Sequence, residues 1–353
     1  MVVKDYQIDM FNVGAADAFL IHFTTEAGFI YNVLVDAGNY KDGDIIAEKF
    51  HSWYPGENID LAIVTHPDAD HFGGFVRLLE KIQGHESDKI DITKFWVNDP
   101  GNNHIEANEV KWISRSRTIN VKARTVFNLD ENSGRNLLGM IDLLQIPREE
   151  KFADVCFSQS KGCLIPLKDD TFTCFFVLGP TERYYESLIP DFRNDSLNFF
   201  DKEDDRNYNE YDDEGGGDSL SRTLDEAKDD TSAHNKSSMI FVFEPSPGKK
   251  LLFTGDASVE SFYNMYACSR DFIRNCYWLK VPHHGSKHNL NSLIISHIHP
   301  EVAYISTEKV GKYLNMCTVN ALKKSGCRVY STHHQGDMLH GGHRSGYSAV
   351  QPL

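Results

Sequence analysis

Ile63-Val64-Thr65-His66-Pro67-Asp68-Ala69-Asp70-His71-Phe72-Gly73-Gly74 is the stretch whose reading decides how this chain folds and what it can do. The apolar run ending at Val64 predicts a short buried strand. Gly73 and Gly74 open a segment, Phe75-Val76-Leu78-Leu79, whose apolar spacing predicts a helix. Between strand and helix, four ligand-type side chains fall within six residues. A loop leaving a strand end aims alternate side chains into one cleft, so His66, Asp68 and Asp70 can converge with His71 turning in beside them. Imidazole and carboxylate are the donors that Zn²⁺ and similar cations take, and so dense a cluster is costly without a cation to neutralise it. A polar turn capping the helix is the plainer role, but two His and two Asp exceed what a cap requires.

Composition sets outer bounds. The chain has 353 residues and is 41% hydrophobic, enough for a sizeable core in one large domain or two ordinary ones. No apolar run reaches the length of a membrane span, and the opening Met1-Val2-Val3-Lys4-Asp5-Tyr6 lacks a signal peptide's regions, so the expected location is the cytoplasm. Seven cysteines without a C-x-x-C pair argue against a disulfide framework. The net charge of −15 opposes broad attraction to nucleic acid. That charge is local: residues 181–236 hold 17 Asp and Glu against 7 Lys and Arg. With their Gly215-Gly216-Gly217 run they are expected to form an acidic, flexible insertion, most simply a solvated loop and otherwise a docking segment for a protein partner.

Outward from the motif, strands are predicted at 7–13, 18–23 and 31–35, the last delivering Asp36 and Gly38, and at 95–98, 172–178, 235–243, 250–254, 277–282, 302–306 and 328–331. Helices are predicted at 45–53, 136–144, 258–268 and 318–324. Helices alternate with strands in each half, an α/β arrangement. Asp256 ends a strand after Gly255, which has no side chain to crowd it, and His283-His284-Gly285-Ser286-Lys287 follow another strand.

The motif resembles the H-x-H-x-D-H-x-G-G signature of the metallo-β-lactamase superfamily with Asp68 in place of the second His. Its form T-H-P-D-A-D-H-F-G-G is most similar to the soluble hydrolase domain of the bacterial competence DNA-uptake channel and its stand-alone relatives. Asn235-x-Ser-Ser, Leu252-Phe-Thr-Gly-Asp256, Lys280-Val-Pro-His-His-Gly-Ser286 and Thr332…Gly336-Asp337 extend the resemblance along the chain. It implies a four-layer αββα sandwich in a single domain, with two metals where the sheet ends meet. By position Asp36 would support the metal loops from behind. Asp70, His71, a bridging Asp256 and His284 would hold one cation, with His283 facing substrate or the pair reversed. His66, Asp68 and Asp256 would begin the other site.

One ligand of that second set is missing from its usual place. Gly179-Pro180 stand where a third His should follow the strand, and His85, His104 and His234 are not at strand ends. One tight Zn²⁺ or Mn²⁺ and a weaker second are therefore expected. The chemistry implied is metal-assisted hydrolysis of a phosphodiester, as a nuclease, with Asp70, Asp68 and His283 at the reaction centre and Ser286, Lys287 or Arg344 holding phosphate. His333, His334, His340 and His343 are expected to be a solvated run or an added ligand. The alternatives are a hydrolase of a small substrate, such as a cyclic nucleotide, phosphocholine ester or lactone, and a non-catalytic or partner-dependent subunit with a structural metal.

Overall fold

Strand alternation and the apolar runs of the two halves build two sheets, seen in a computed structural model that describes residues 1–102, 135–159, 163–192, 198–199, 224–308, 314–342, 344 and 351–353. Edge to edge, the first sheet runs Met338–His340, Val3–Met10, Ala18–Thr25, Ile30–Ala37, Leu61–Ile63, Phe95–Trp96 and Arg148–Glu149. The second runs Phe175–Gly179, Ile240–Ser246, Lys249–Phe253, Trp278–Lys280, Val302–Ile305 and Arg328–Ser331. Each sheet begins antiparallel and becomes parallel, from Ile30–Ala37 onward in the first and Lys249–Phe253 onward in the second. Parallel strands open their carboxyl ends to loops at one edge, where ligands of α/β sheets bind. His66 to His71, Asp256, His283-His284 and Thr332 all lie in such loops, and Asn235-x-Ser-Ser precedes the antiparallel strand Ile240–Ser246.

Phe19, Phe23, Trp96, Phe175, Phe241, Phe253 and Trp278 fill one core that draws on both sheets. A second core packs helices Asp42–Trp53 and Ala69–Gln83 on the first sheet through Phe50, Phe72, Phe75 and Leu79. A third packs Val259–Ser269, Ser292–Ile298 and Met316–Lys324 on the second through Phe262, Ile294, Val319 and Leu322. Helix, sheet, sheet, helix is the expected four-layer sandwich, the metallo-β-lactamase fold. The glycine pair lets helix Ala69–Gln83 press onto the turn after Ala37: a Cβ on Gly74 would stand 1.9 Å from the Ala37 carbonyl oxygen.

Three local readings need correction. The strand expected from Asn235 begins at Ile240. Residues Ala233–Lys236 instead form a short helix, because the Ser232 hydroxyl accepts from Asn235 N–H and caps it. The segment 181–236 is built into the fold at both described ends: Tyr185, Leu188, Ile189 and Phe192 form a small core, and Leu224 and Asp230 are buried. Residues 193–197 and 200–223 lie outside the described residues. Lastly, the carboxyl-terminal run supplies a strand, Met338–His340, antiparallel to Val3–Met10. His340 packs there among Tyr277, Trp278 and Tyr304, with Tyr304 Oη 3.0 Å from its Nδ1.

Burial, with Lys249 and Arg328 nearby, pushes the His340 imidazole down to about 4. An unfolded His takes up its proton near pH 6.5, so between pH 6.5 and 4 the unfolded state binds a proton that the native state refuses, and stability falls as pH falls. His340→Phe should remove about 2–3 kcal/mol of that acid-side loss. Urea unfolding of the wild type and variant at pH 7.5 and pH 4.5 checks it; an equal loss in both would remove His340 as the cause.

Candidate metal centre

Helix Ala69–Gln83 starts at Asp68, whose backbone is extended as in an N-cap but whose side chain caps nothing. It turns instead toward two imidazoles: its Oδ2 lies 3.6 Å from His66 Nε2, and its Oδ1 accepts from His234 Nδ1–H. His234 is buried on the short helix Ala233–Lys236. The histidine set aside for lack of a strand end thus reaches Asp68 from a helix. A single cue pointed to it: a histidine beside the Asn-x-Ser-Ser motif, just before a buried strand.

On the other side, Asp70 Oδ2 is 3.4 Å from His284 Nε2, and Asp256 Oδ2 is 3.4 Å from His71 Nε2 and 3.8 Å from His284 Nε2. Besides a group of Asp17 and Asp36 with His71, two groups result here, His66 with His71 and Asp256, and Asp70 with His71 and His284; within each, the possible ligand atoms lie within 4.8 Å of one another. They share His71, and Asp256 reaches both.

The rings are aimed from behind. Asp36 accepts from Thr65 N–H at 2.8 Å and from the Thr65 hydroxyl at 2.7 Å, and its Oδ2 lies 2.8 Å from His71 Nδ1. A carboxylate can only accept, so His71 carries its proton on Nδ1 and turns Nε2 forward. Ser306 carbonyl does the same for His284 Nδ1, at 3.0 Å. The backbone of Asp36, His283 and His284 is left-handed, φ +55°, +48° and +51°. Strain of this kind in non-glycine residues gathers at functional sites. Gly255 is held open as expected, since a Cβ there would meet Thr65 Oγ1 at 2.8 Å.

Sequence reading also passed over Asp17 and Lys280. Both are buried, and they pair with one another behind the cluster. Lys280 Nζ also donates to Asp256 Oδ1 at 3.3 Å and to Gly255 carbonyl at 2.8 Å. A buried charge needs a partner; Asp17 gave no other signal than an acid set in an apolar turn.

The donor set fits a divalent cation. His66 Nε2 and His71 Nε2 are buried and make no hydrogen bond among the described residues, while the Asp68 and Asp256 carboxylates face them. Burial alone would raise the Asp256 carboxyl, yet His71, Lys280, His283 and His284 hold it well below the usual range. Burial likewise opposes a charged His71, but Asp256, Asp36 and Asp70 hold its imidazole well above its ordinary value. A cation bound there would take over the charge that His71 offers Asp256, and the ligands would have to shed their protons to bind it.

The remaining expected residues fall on different sides of this cluster. His283 lies at its wall, Nε2 3.9 Å from Asp256 Oδ2. Ser286 is buried, its hydroxyl accepting from His288 N–H at 3.2 Å, and Lys287 is half-buried beside it. Arg344 is held by Asp9, at 2.5 and 3.1 Å, and lies over the ring of Trp53. That buried pin joins the first strand to the chain's end. His333 Nδ1 donates to Glu308 carbonyl, His85 belongs to the turn after helix Ala69–Gln83, and His104 and His343 lie outside the described residues.

Residues 23–104 match the family model described as the metallo-β-lactamase superfamily. No curated protein matches the chain. Among solved structures, the chain is similar to a long-form RNase Z from yeast at 12% identity and a TM-score of 0.34, over 86% of this chain and 38% of that one. The chain therefore spans well under half the length of that protein.

Two outcomes follow. Adding Zn²⁺ or Mn²⁺ to chelator-stripped protein should raise its melting temperature by roughly 4–5 °C, from binding worth about 3–4 kcal/mol at saturating metal. Asp256→Asn should abolish most of that rise, and a full rise in the variant would exclude Asp256 as a ligand. Arg344→Ala should cost about 3 kcal/mol in urea unfolding by stranding the buried Asp9, while leaving the metal-induced rise unchanged.

Proposed function

We propose that this chain, which carries a metallo-β-lactamase fold with two ligand groups joined by His71 and Asp256, is a metal-dependent phosphodiesterase acting on nucleic acid. The observation that carries the reading is the convergence of His66, His71 and His284 Nε2 on Asp68, Asp70 and Asp256 at the carboxyl ends of parallel strands. His66, Asp68, His234 and Asp256 would hold one cation, and Asp70, His71, His284 and Asp256 the other. Zn²⁺ and Mn²⁺ both suit this mixture of imidazole and carboxylate. Such a pair, when bound, supplies hydroxide near neutral pH and steadies the leaving oxygen of a phosphodiester.

The chain's own residues do the positioning. Asp36 and the Ser306 carbonyl fix the tautomers of His71 and His284. Lys280 and the His283 N–H hold Asp256 Oδ1, which leaves Oδ2 toward the imidazoles. His283 stands at the wall where a substrate would sit, and Lys287 with Ser286 beyond it offers phosphate contacts. The resemblance to the competence-channel hydrolase domain supports a nucleic-acid substrate. On this reading the chain is one hydrolase domain with residues 181–236 as its acidic insertion, open to a protein partner, and it works in the cytoplasm. Among the described residues no helix is long and apolar enough to cross a membrane.

A small substrate is the second reading, favoured by one feature. Asp225, Asp229, Tyr263, Asn291 and Leu293 line a cleft of about 470 Å³, and Asp229 adjoins Asp230 in the chain. Carboxylates there repel a polyanion but tolerate a small ester.

The test is cleavage of end-labelled single-stranded DNA, duplex DNA and RNA with Mn²⁺ or Zn²⁺, beside bis(p-nitrophenyl) phosphate. Wild type should cut a polymer, and Asp70→Ala should lose at least about 100-fold in rate, the upper range for weakening a metal site. Cleavage of the small ester alone would favour the second reading. No metal-dependent cleavage of any of them would defeat the proposal and leave a structural metal site.

A further inference from the structure

Asp230 stands apart from both ligand groups, yet it is 4% exposed and carries a carboxylate. Its Oδ1 accepts from Ser232 N–H at 2.8 Å, and its Oδ2 accepts from Asn235 Nδ2 at 2.6 Å and Asn289 Nδ2 at 2.9 Å, with His283 Nδ1 3.4 Å away. Asn289, fully buried, also donates from Nδ2 to the Asp256 and Ala257 carbonyls, at 3.0 and 3.3 Å. Three acceptors around that nitrogen settle which end of the amide is which, so the Asn289 oxygen is the atom 3.0 Å from His283 Nδ1. His283 Nδ1 therefore faces two acceptors, an amide oxygen and a carboxylate. A nitrogen so placed must carry its proton, whatever the charge of the ring.

We infer that Asp230 is a positioning residue: with Asn289 it fixes His283 with Nδ1–H inward and Nε2 toward the metal centre, as carboxylates do behind metal-site histidines. Asp36 plays that part for His71 and Ser306 for His284, so each of three rings has its own acceptor at Nδ1. Asp230 differs in origin. It belongs to residues 224–236, which the charge count assigned to the acidic segment, and its N–H donates to the His288 carbonyl at 3.0 Å, tying that segment's end to the loop that bears His283. The same short stretch carries His234 to Asp68. The end of the acidic segment is thus part of the site's wall. The kinetic weight of this placement rests on the phosphodiesterase reading; the ring's placement does not.

Two readouts test it on the full chain. In ¹⁵N-histidine-labelled metal-free protein, His283 should give a hydrogen-bonded Nδ1–H proton signal, identified by its absence in His283→Gln. Asp230→Ala should lose or exchange-broaden that signal. Should that variant fail to fold, Asn289→Leu removes the nearer acceptor and should do the same. An unchanged signal in either folded variant overturns the inference. With Mn²⁺ and bis(p-nitrophenyl) phosphate, Asp230→Ala should lower kcat about tenfold or more with KM within about twofold and metal content unchanged. Combined with His283→Gln it should lower kcat no further than His283→Gln alone, because both act through one ring. Additive losses, or an unchanged kcat in Asp230→Ala, overturn the positioning role. An inactive wild type would sink the phosphodiesterase reading, while the proton signal would still decide where the ring is held.

Discussion

Burying Asp256 is the constraint on which the rest of this molecule depends. Its carboxylate is 3% exposed, and an ion taken from water costs several kcal/mol unless other charges and hydrogen bonds replace the solvent. The replacement comes from both halves of the chain. His71 arrives from the first sheet's motif helix, and Lys280, His283 and His284 come from the strand and loop of the second. Asp256 thus draws partners from both halves. The Met239 N–H donating to the Thr65 carbonyl at 2.8 Å joins the two sheets at the same edge. The cluster therefore holds the sandwich together at the end where its chemistry would occur.

That arrangement also explains the back row. Three forward carboxylates, Asp68, Asp70 and Asp256, would be poor company without fixed imidazoles. Asp17 and Asp36 add two more negative charges behind them. Lys280 offsets Asp17 directly, and Asp36 is taken up by Thr65 and His71. Each rear carboxylate is thereby paired inward, and the unmatched charge points toward the centre, where a divalent cation is the natural complement. The left-handed backbone at His283 and His284 is the conformational cost of turning two consecutive imidazoles in different directions, one to the wall and one to the ligands.

Much of this was legible in the sequence because the residues involved are consecutive or end a recognisable strand. His66, Asp68, Asp70 and His71 announce themselves by density, and Asp256 and His284 by strand-end glycines and pairing. Strand and helix periodicity indicated only an alternating α/β arrangement; the four layers were what the resemblance implied. Residues that act across the fold were not legible. His234, Asp230 and Lys280 reach partners 166, 53 and 263 positions away, and their local sequence reads as an acidic segment for the first two and a strand for the third. Charge count alone made residues 224–236 look solvated, although burial of Asp230 by Asn235 and Asn289 reverses that reading. Arg344, next to a histidine run, read as a phosphate contact; Asp9, 335 residues earlier, claims it.

The central claim is that two neighbouring cation positions share Asp256 at the sheet ends. Anomalous diffraction from crystals soaked in Mn²⁺ or Zn²⁺, collected at the metal's absorption edge, tests it most directly. The account predicts two peaks on either side of Asp256, one bounded by His66, Asp68 and His234 and the other by Asp70, His71 and His284. A well-occupied metal elsewhere with no density beside Asp256, in crystals that bind metal in solution, would contradict it.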